Sequence, residues 1–432
     1  MNARDLDFLP PLQAEAARSV QTLVLGAGIV GLACALRLQS AGLQVTVLDR
    51  SGVAAGASRG NAGALAYSDV LPLASPGILR QAPRWLLDPL GPLSLRPSYA
   101  PAMLPWLWKF WRASTHKQVA LSARSQAALL ALSAAEWPAL LALAGAEKQL
   151  RKGGNLHLYE SEAQWRAAAP GWAQRMALGV GYELLQGADA IADLQPGVDK
   201  QFQYGCFVPH WHTVDDPLRL SHALAQAFIA RGGVLARAHA LRLHPDARGL
   251  LVELEQGPPL LAQRLLVCAG AWSHQLAETL GERYPLETER GYNTTLPPGA
   301  FNLRRQLTFP NHGFVVTPIA GGVRVGGAVE FAGLQAPPNF ARADALLAKA
   351  KRFLPELRTE GGTQWMGCRP SMPDSLPVIG PAPADARVFY AFGHGHLGLT
   401  QAAATAKLAA DWALERKPGL ADLAAFRPGR FL

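Results

Sequence analysis

A strand-like run, Thr22-Leu23-Val24-Leu25, breaks at Gly26-Ala27-Gly28-Ile29-Val30-Gly31 and resumes at once as a helix-like stretch from Leu32 to Gln39. A second strand-like run, Gln44-Val45-Thr46-Val47-Leu48, ends on Asp49. Each glycine meets a different demand: Gly26 permits the tight turn, Gly28 lets backbone approach a pyrophosphate, and Gly31 lets the helix pack on the strand. The helix start then offers unpaired N–H groups to phosphate oxygens. Asp49, 18 residues past Gly31, stands where a carboxylate accepts hydrogen bonds from a ribose diol. An acid at that place disfavours a ribose 2′-phosphate, although Arg50 follows it directly. The spacing predicts a βαβ unit that holds a dinucleotide.

A second glycine-rich turn lies near the other end. Val388-Phe389-Tyr390-Ala391-Phe392 leads into Gly393-His394-Gly395-His396-Leu397-Gly398-Leu399-Thr400, and Gln401 to Glu415 reads as helix. Two such turns at opposite ends of the chain imply one long ligand gripped from both sides, and FAD has that length. An NAD-only enzyme would leave the second turn without a purpose.

The chain's 432 residues exceed the size at which single cores stop growing, so two domains are expected. Strand and helix patterns alternate in three separated blocks, 21–50, 218–270 and 388–416, which together can build one mainly parallel sheet with helices on its faces. Between them, 115–150 is Ala/Leu-rich with helical period, and 154–160, 182–210 and 286–331 show short strand-like runs broken by Gly, Pro and Asn. The fold class expected is α/β: a Rossmann-like FAD-binding domain, a mixed sheet with a parallel core, interleaved with an α+β substrate domain on an antiparallel or mixed sheet. The boundaries drawn are 20–95, 205–280 and 366–432 for the first, 96–204 and 281–365 for the second, and 1–19 as an N-terminal extension.

Composition excludes several classes. Formal charge is +9 without a run of five Lys/Arg, which favours acidic small molecules or an anionic surface and offers no nucleic-acid stripe. Cys34, Cys206, Cys268 and Cys368 form no CxxC pair and read as buried thiols of a reducing compartment. Residues 1–20 carry Arg4, Asp5, Asp7, Glu15 and Arg18 with no apolar core of a secretory signal. Ala127 to Ala146, the most apolar stretch, is interrupted by Ser133, Glu136 and Pro138 and reads as a packed helical pair rather than a membrane span. The expected location is the cytoplasm.

With these motifs in order, the chain resembles the FAD-dependent D-amino-acid oxidase superfamily, and within it the bacterial D-amino-acid dehydrogenases. The resemblance rests on the Gly26–Gly31 turn with Asp49, on Ala57-Ser58-Arg59-Gly60-Asn61-Ala62-Gly63, and on Val214-Asp215-Asp216-Pro217-Leu218-Arg219-Leu220. It continues through Val267-Cys268-Ala269-Gly270-Ala271-Trp272-Ser273, Arg290-Gly291-Tyr292, Gly367-Cys368-Arg369-Pro370-Ser371-Met372-Pro373-Asp374, the closing turn 393–400 and Phe426-Arg427-Pro428-Gly429-Arg430-Phe431. Many dehydrogenase relatives read Gly-Leu-Arg-Pro where this chain has Gly-Cys-Arg-Pro, and Met372 and Ser375 also depart from their pattern, so the pocket size differs from theirs.

The resemblance implies roles. FAD would be held by Gly26, Ala27, Gly28, Ile29, Val30, Gly31, Asp49 and Arg50, by the loop Ser58, Arg59, Asn61, Ala62, Gly63 and Ala64, and by Ala240 against adenine. Ala269, Gly270 and Trp272 would line the ribityl side, and Gly395, His396, Leu397, Gly398, Leu399 and Thr400 the flavin O2 edge. Arg369 would grip the substrate carboxylate through a planar fork of two hydrogen bonds; the alternative is a scaffold ion pair with Asp374, Glu356 or Glu360. Arg369, Tyr292 and His396 are the catalytic candidates, although His394 and His396 read more readily as positioning groups than as bases. Tyr292, Tyr67, Asn61, His210, Trp211 and His212 are candidates for the pocket wall. No third ligand is spaced for a metal between His210 and His212, so none is expected.

The implied activity is oxidation of D-amino acids, small or cyclic ones such as D-proline or hydroxy-D-proline preferred, by hydride transfer from Cα to the flavin. Electrons would go to quinone or another carrier rather than NAD. A sarcosine or secondary-amine oxidase, and a non-catalytic FAD-binding assembly protein, remain as alternatives. Trp85, Trp106, Trp108 and Trp111, with Met103, Leu104, Leu107 and Phe110 among them, read as an aromatic helix packed on the substrate domain; the alternative is peripheral contact with the inner face of a membrane.

Overall fold

The computed structural model describes residues 6–12, 19–75, 91, 93–420 and 422–432. Trp85, and Arg4, Asp5, Glu15 and Arg18 of the N-terminal reading, lie outside the described residues.

The apolar runs at both ends of the chain join one eight-stranded sheet, with Leu260–Val267 between them. Its parallel core runs Val234–Arg237, Val45–Asp49, Ser19–Leu25, Leu260–Val267, Val388–Phe392. Gly249–Leu254 and Ala240–Asp246 add an antiparallel meander, and Val378–Pro381 pairs antiparallel with Val388–Phe392. Strands buried on both faces need apolar residues of both parities, and the period of two divides them cleanly. Val24, Val47, Leu235, Leu266 and Phe389 meet one core, shared with the helices Ile29–Ser40, His116–Ala144, Pro217–Ala230 and Gly398–Ala413. Leu23, Leu48, Ala236, Leu265, Val388 and Tyr390 meet the other, shared with the meander and the short helix Ser273–Glu278.

A second sheet of nine strands runs Thr363–Ser371, Glu287–Leu296, Gly322–Phe331, Phe314–Ile319, Gln306–Phe309, Asn155–Tyr159, Tyr204–Val208, Glu183–Gln186. Most pairs are antiparallel; Asn155–Tyr159 with Gln306–Phe309, and Leu93–Leu95 with Gly322–Phe331, are parallel. Sheet membership departs from the expected division in three places. Leu93–Leu95 joins the second sheet, Thr363–Ser371 runs across 366, and Tyr204–Val208 across 205. Strand pairing ignores the composition changes from which those boundaries were read.

Residues 116–144 form one continuous helix of 29 residues with Pro138 inside it, not the expected pair. It is long and apolar enough to cross a membrane by length and composition, yet several of its polar side chains are committed inside the molecule. Ser133 Oγ and Trp137 Nε1 donate to Thr400 O at 2.5 and 3.0 Å, and Gln126 Oε1 accepts from Gln401 Nε2 at 3.2 Å. The helix Ala100–Ala113 buries Met103 and Trp106 but leaves Leu104, Trp108 and Trp111 64, 58 and 50% exposed. Of the N-terminal extension, residues 6–12 form a strap: Val53 N–H donates to Leu6 O, and Arg237 N–H to Pro10 O. The four cysteines are free thiols.

Candidate functional site

The carboxyl ends of the parallel strands open onto the face of the second sheet, and a cavity of about 2020 Å³ lies between them. That is where an open α/β sheet takes its ligands, and the volume exceeds the roughly 300–1,000 Å³ of an ordinary small-molecule pocket. It is long enough in its walls to border Asp49 and Ala240 at one end and the turn 394–400 at the other.

Whether FAD fits is tested by the backbone. Gly26 sits at φ +112°, and a Cβ there would lie 2.4 Å from Cys268 O. Gly28 caps the helix Ile29–Ser40 without a side chain, so the helix's first turn opens onto the cavity with no carboxylate or hydroxyl of its own at the cap. Ser58 Oγ takes the Ile29 N–H at 3.0 Å. Asp49 accepts Ala27 N–H on Oδ2 at 2.8 Å, and Ser51 and Gly52 N–H on Oδ1 at 2.8 and 3.0 Å. A carboxylate has about four acceptor sites, so capacity remains on the cavity side for a diol. The Arg50 guanidinium lies 3.7 Å over the Trp272 ring, a flat platform in the cavity wall. At the far end the helix Gly398–Ala413 likewise starts with no side-chain cap and no acidic residue in its first turn. Two helix N-termini, one with only its Ile29 N–H taken by a side chain and one without a side-chain cap, a ribose-type acid and a cradle closed to side chains fit the dinucleotide.

The loop between these ends is pinned to the second sheet. Arg324 donates to Asn61 O at 2.5 Å and Thr295 Oγ1 at 2.8 Å, and Asn293 Nδ2 donates to Gly60 O at 2.8 Å. Trp365 packs so closely on Gly60 that a Cβ there would meet its ring at 2.2 Å. Of the residues expected at the cofactor, Ala27, Gly31, Arg59 and Gly63 do not border the cavity. Ala27 and Gly31 serve the turn from beneath, Arg59 faces away to pair with Asp7 at 3.3 Å, and Gly63 abuts Ile319 and Val214.

Arg369 reaches the cavity by strand parity. In the pairing of Glu287–Leu296 with Thr363–Ser371, Glu289 faces Arg369, Gly291 faces Gly367 and Asn293 faces Trp365. Side chains opposite each other in an antiparallel pair share a face, and all six border the cavity. Gly291 is bare because the guanidinium lies across it: a Cβ there would meet Arg369 Nη2 at 2.1 Å. Nη1 donates to Ala328 O at 3.1 Å, and among the described residues no carboxylate lies within the 4.0 Å of an ion pair. Asp374, one expected scaffold partner, is held instead by Arg430 at 2.9 Å. Burial pulls the Arg369 pKa below its ordinary value, with the Glu289 charge opposing.

Tyr292 borders the cavity as well, but from the opposite parity. It falls with Arg290 on the other face, where its hydroxyl donates to Glu330 Oε2 at 2.5 Å and accepts the Asn339 N–H at 3.0 Å. Those bonds take the donor and one acceptor site of the phenol, so the expected bond to a substrate could use only its remaining acceptor site. Tyr67 and His212 pack edge-to-face on each other, centroids 5.7 Å apart, and neither borders the cavity. His210 is exposed elsewhere; from that segment it is Trp211 that reaches the cavity, its Nε1 donating to Gln306 Oε1 at 3.3 Å.

His396 Nε2 lies 2.9 Å from Asp69 Oδ2. Burial alone would lower the imidazole pKa, but the Asp69 hydrogen bond and charge outweigh it and the net shift is upward, Arg369 opposing. For Asp69, burial raises and the hydrogen bond and charge of His396, with Arg175, lower; the result lies below the ordinary carboxylate value. His394, by contrast, is buried against Thr405 Oγ1 at 3.0 Å, and desolvation drops its pKa to about 3. Asp69, His157, Trp172 and Arg175 border the cavity without having been marked by any motif. No cluster of three or more His, Cys, Asp or Glu placed to hold a metal occurs among the described residues.

Residues 21–412 match the family described as FAD dependent oxidoreductase. A D-amino-acid oxidase of Bradyrhizobium diazoefficiens is 35% identical over 419 residues, 95% of this chain and 98% of that protein. A D-amino acid dehydrogenase of Rhizobium johnstonii is 31% identical over 402 residues, 91% of this chain and 95% of its own. Glycine oxidase from Geobacillus kaustophilus superposes with a TM-score of 0.74 at 20% identity, covering 96% of this chain and all of that one, which speaks for the fold alone.

Proposed function

Because the chain belongs to the FAD dependent oxidoreductases, with FAD as its cofactor, we propose that it oxidises D-amino acids at the Cα–N bond and delivers the electrons to an acceptor other than NAD. The observation that carries this reading is Arg369: a guanidinium with no carboxylate within ion-pair distance among the described residues, laid over Gly291 on the wall of the cavity. FAD, when bound, supplies the two-electron acceptor for the hydride that leaves Cα. Arg369 holds the substrate carboxylate bidentately and so fixes where Cα sits. A zwitterionic substrate must also lose an ammonium proton before its nitrogen lone pair can form the imine. His396 is the group placed to take it: with Nε2–H held by Asp69, Nδ1 is left as the acceptor. The imino acid is released and hydrolyses in solution. Small or cyclic substrates, N-methylated amines included, satisfy the same clamp.

Anaerobic titration of the yellow protein with paired D- and L-amino acids tests the reading. Bleaching by D-amino acids is expected; a flavin that no D-amino or D-imino acid reduces would refute it.

His396 must be neutral to accept a proton, and its pKa is raised by Asp69. The rate kcat/KM should therefore climb with pH through a point above the ordinary histidine value of 6.5. Asp69→Asn removes the charge that holds the imidazolium, so the climbing limb should move to lower pH. A limb that stays put would take His396 out of the role.

The acceptor reading, quinone at the inner face of the membrane approached from the cytoplasm, is favoured by the helix Ala100–Ala113. Trp106, Leu107 and Phe110 border the cavity, while Leu104, Trp108 and Trp111 are exposed beside Lys109 and Arg112. Exposed Trp with basic neighbours suits an anionic lipid surface. Co-sedimentation with anionic vesicles should fall at least severalfold in Trp108→Ser/Trp111→Ser; equal sedimentation of both proteins would rule the contact out.

A further inference from the structure

The cavity does not end beside Arg369. Past Asp69 it continues into a chamber between the helix Glu162–Ala177 and the strand Asn155–Tyr159. Gln164, Ala168, Gly171 and Arg175 recur at helical spacing along the wall. Ala168 and Gly171 keep that wall low, and Arg175 stands at its end. A small or cyclic side chain clamped at Arg369 would leave this space unused.

The donors in the chamber are largely unspent. Arg175 Nη1 reaches Gly171 O at 3.4 Å and Nη2 lies 4.0 Å from Asp69 Oδ1, while Asp69 is held more closely by His396 on its other oxygen at 2.9 Å. With His396 neutral, Asp69 faces the Arg175 guanidinium only at 4.0 Å, beyond hydrogen-bond distance, which leaves most of its N–H groups free for a second anion. The guanidinium is fixed over the Trp172 ring at 5.0 Å, which presents its fork without consuming its N–H groups. Beside it, Asn155 Nδ2 donates to His157 Nε2 at 3.1 Å, and the Asn155 carbonyl is engaged by Thr308 Oγ1 at 3.0 Å. His157 is thereby the Nδ1–H tautomer, and burial keeps it neutral, its pKa near 3. The opposing acid, Glu160, is already committed to His312 and Gln164, each at 3.2 Å.

We propose that this chamber is the side-chain subsite of an acidic D-amino acid of glutamate length or longer, with Arg175 receiving the second carboxylate and His157 Nδ1–H adding a neutral donor. The proposal rests on the reading of Arg369 as the clamp for the first carboxylate. A substrate with an anion at each end then spans two guanidiniums, with the reacting carbon near the first.

The test is a ratio of kcat/KM values for D-glutamate against isosteric, uncharged D-glutamine, with D-2-aminoadipate and D-alanine alongside. Wild type should favour D-glutamate by about 10-fold or more, as one charge-assisted hydrogen-bonded pair supplies. Arg175→Met should bring that ratio near one. Ala168→Phe, which fills the chamber without touching a charge, should depress D-glutamate relative to D-alanine by about 10-fold, and it decides the matter if Arg175→Met does not fold. Equal rates for D-glutamate and D-glutamine in wild type, or a preference that survives both substitutions, overturn the subsite. Turnover of D-alanine without preference for D-glutamate leaves the D-amino-acid reading standing and removes only the subsite; a flavin that none of the panel bleaches removes both.

Discussion

Arg369→Met is expected to lower kcat/KM for D-amino acids by about 10²- to 10⁴-fold while the purified protein keeps its yellow colour. Two charge-assisted hydrogen bonds to a carboxylate are worth roughly 1.5–3 kcal/mol each, and about 1.4 kcal/mol is a factor of ten in rate. The loss should be felt in kcat as well as in KM, because the clamp sets the position of Cα and not only occupancy. Methionine keeps most of the length and removes the fork, and it leaves Asp49 and the turn 395–400 untouched. Gly291→Ala supplies the companion measurement. It leaves the charge in place but pushes it, since the new Cβ would stand 2.1 Å from Arg369 Nη2. A displaced but intact guanidinium should cost about 10- to 100-fold, less than its removal. Activity within threefold of wild type in Arg369→Met, with flavin bound, would move the carboxylate site elsewhere.

What the chain disclosed before folding, and what it withheld, follow from the range over which each constraint acts. Gly26 and Asp49 were legible because a close backbone approach and a strand-end acid are local demands, met within one βαβ unit. The cofactor's two ends were legible for the same reason, twice over. Arg369 was legible through its motif, and its parity with Glu289 and Gly291 then emerged from the pairing. Tyr292 sits in that same strand and borders the cavity, but nothing in Arg290-Gly291-Tyr292 discloses that its hydroxyl is engaged by Glu330 and Asn339. Tyr67 and His212 looked like pocket residues by chemistry, but their rings pack edge-to-face beside the short sheet formed by Ala64–Leu65 and His212–Val214, off the cavity. Asp69, Arg175 and His396 are separated by more than 100 residues at each step and meet only in the folded chain. No window of sequence contains that trio. The formal charge of +9 favours an acidic small molecule or an anionic surface, but says nothing of where along one cavity Arg175 and Arg369 would stand.

The largest structural effect should come from Gly31, which does not itself border the cavity. A Cβ built there lies 1.9 Å from Gly26 O and 3.3 Å from Cys268 Cβ. Gly26 O is backbone, fixed by the turn at φ +112° and by the Gly26 N–H bond to Leu48 O at 2.7 Å. It cannot swing aside as a side-chain tip can, so Gly31→Val has to part the helix Ile29–Ser40 from the strand before it. That separation moves the helix N-terminus from the phosphates, and the expected product is a protein purified without FAD. A ligand at 1,000 times its Kd stabilises by about 4 kcal/mol, so the thermal midpoint should drop by many degrees and recover little when FAD is added back. Gly28→Ala should be milder. Its Cβ would meet only Ser58 Oγ, at 3.3 Å, and a hydroxyl can give by a few tenths of an ångström. The two variants thus separate packing beneath the turn from contact with the cofactor. Full flavin content in Gly31→Val would mean that the helix does not need to lie this close to the strand, and the account of the turn would have to be abandoned.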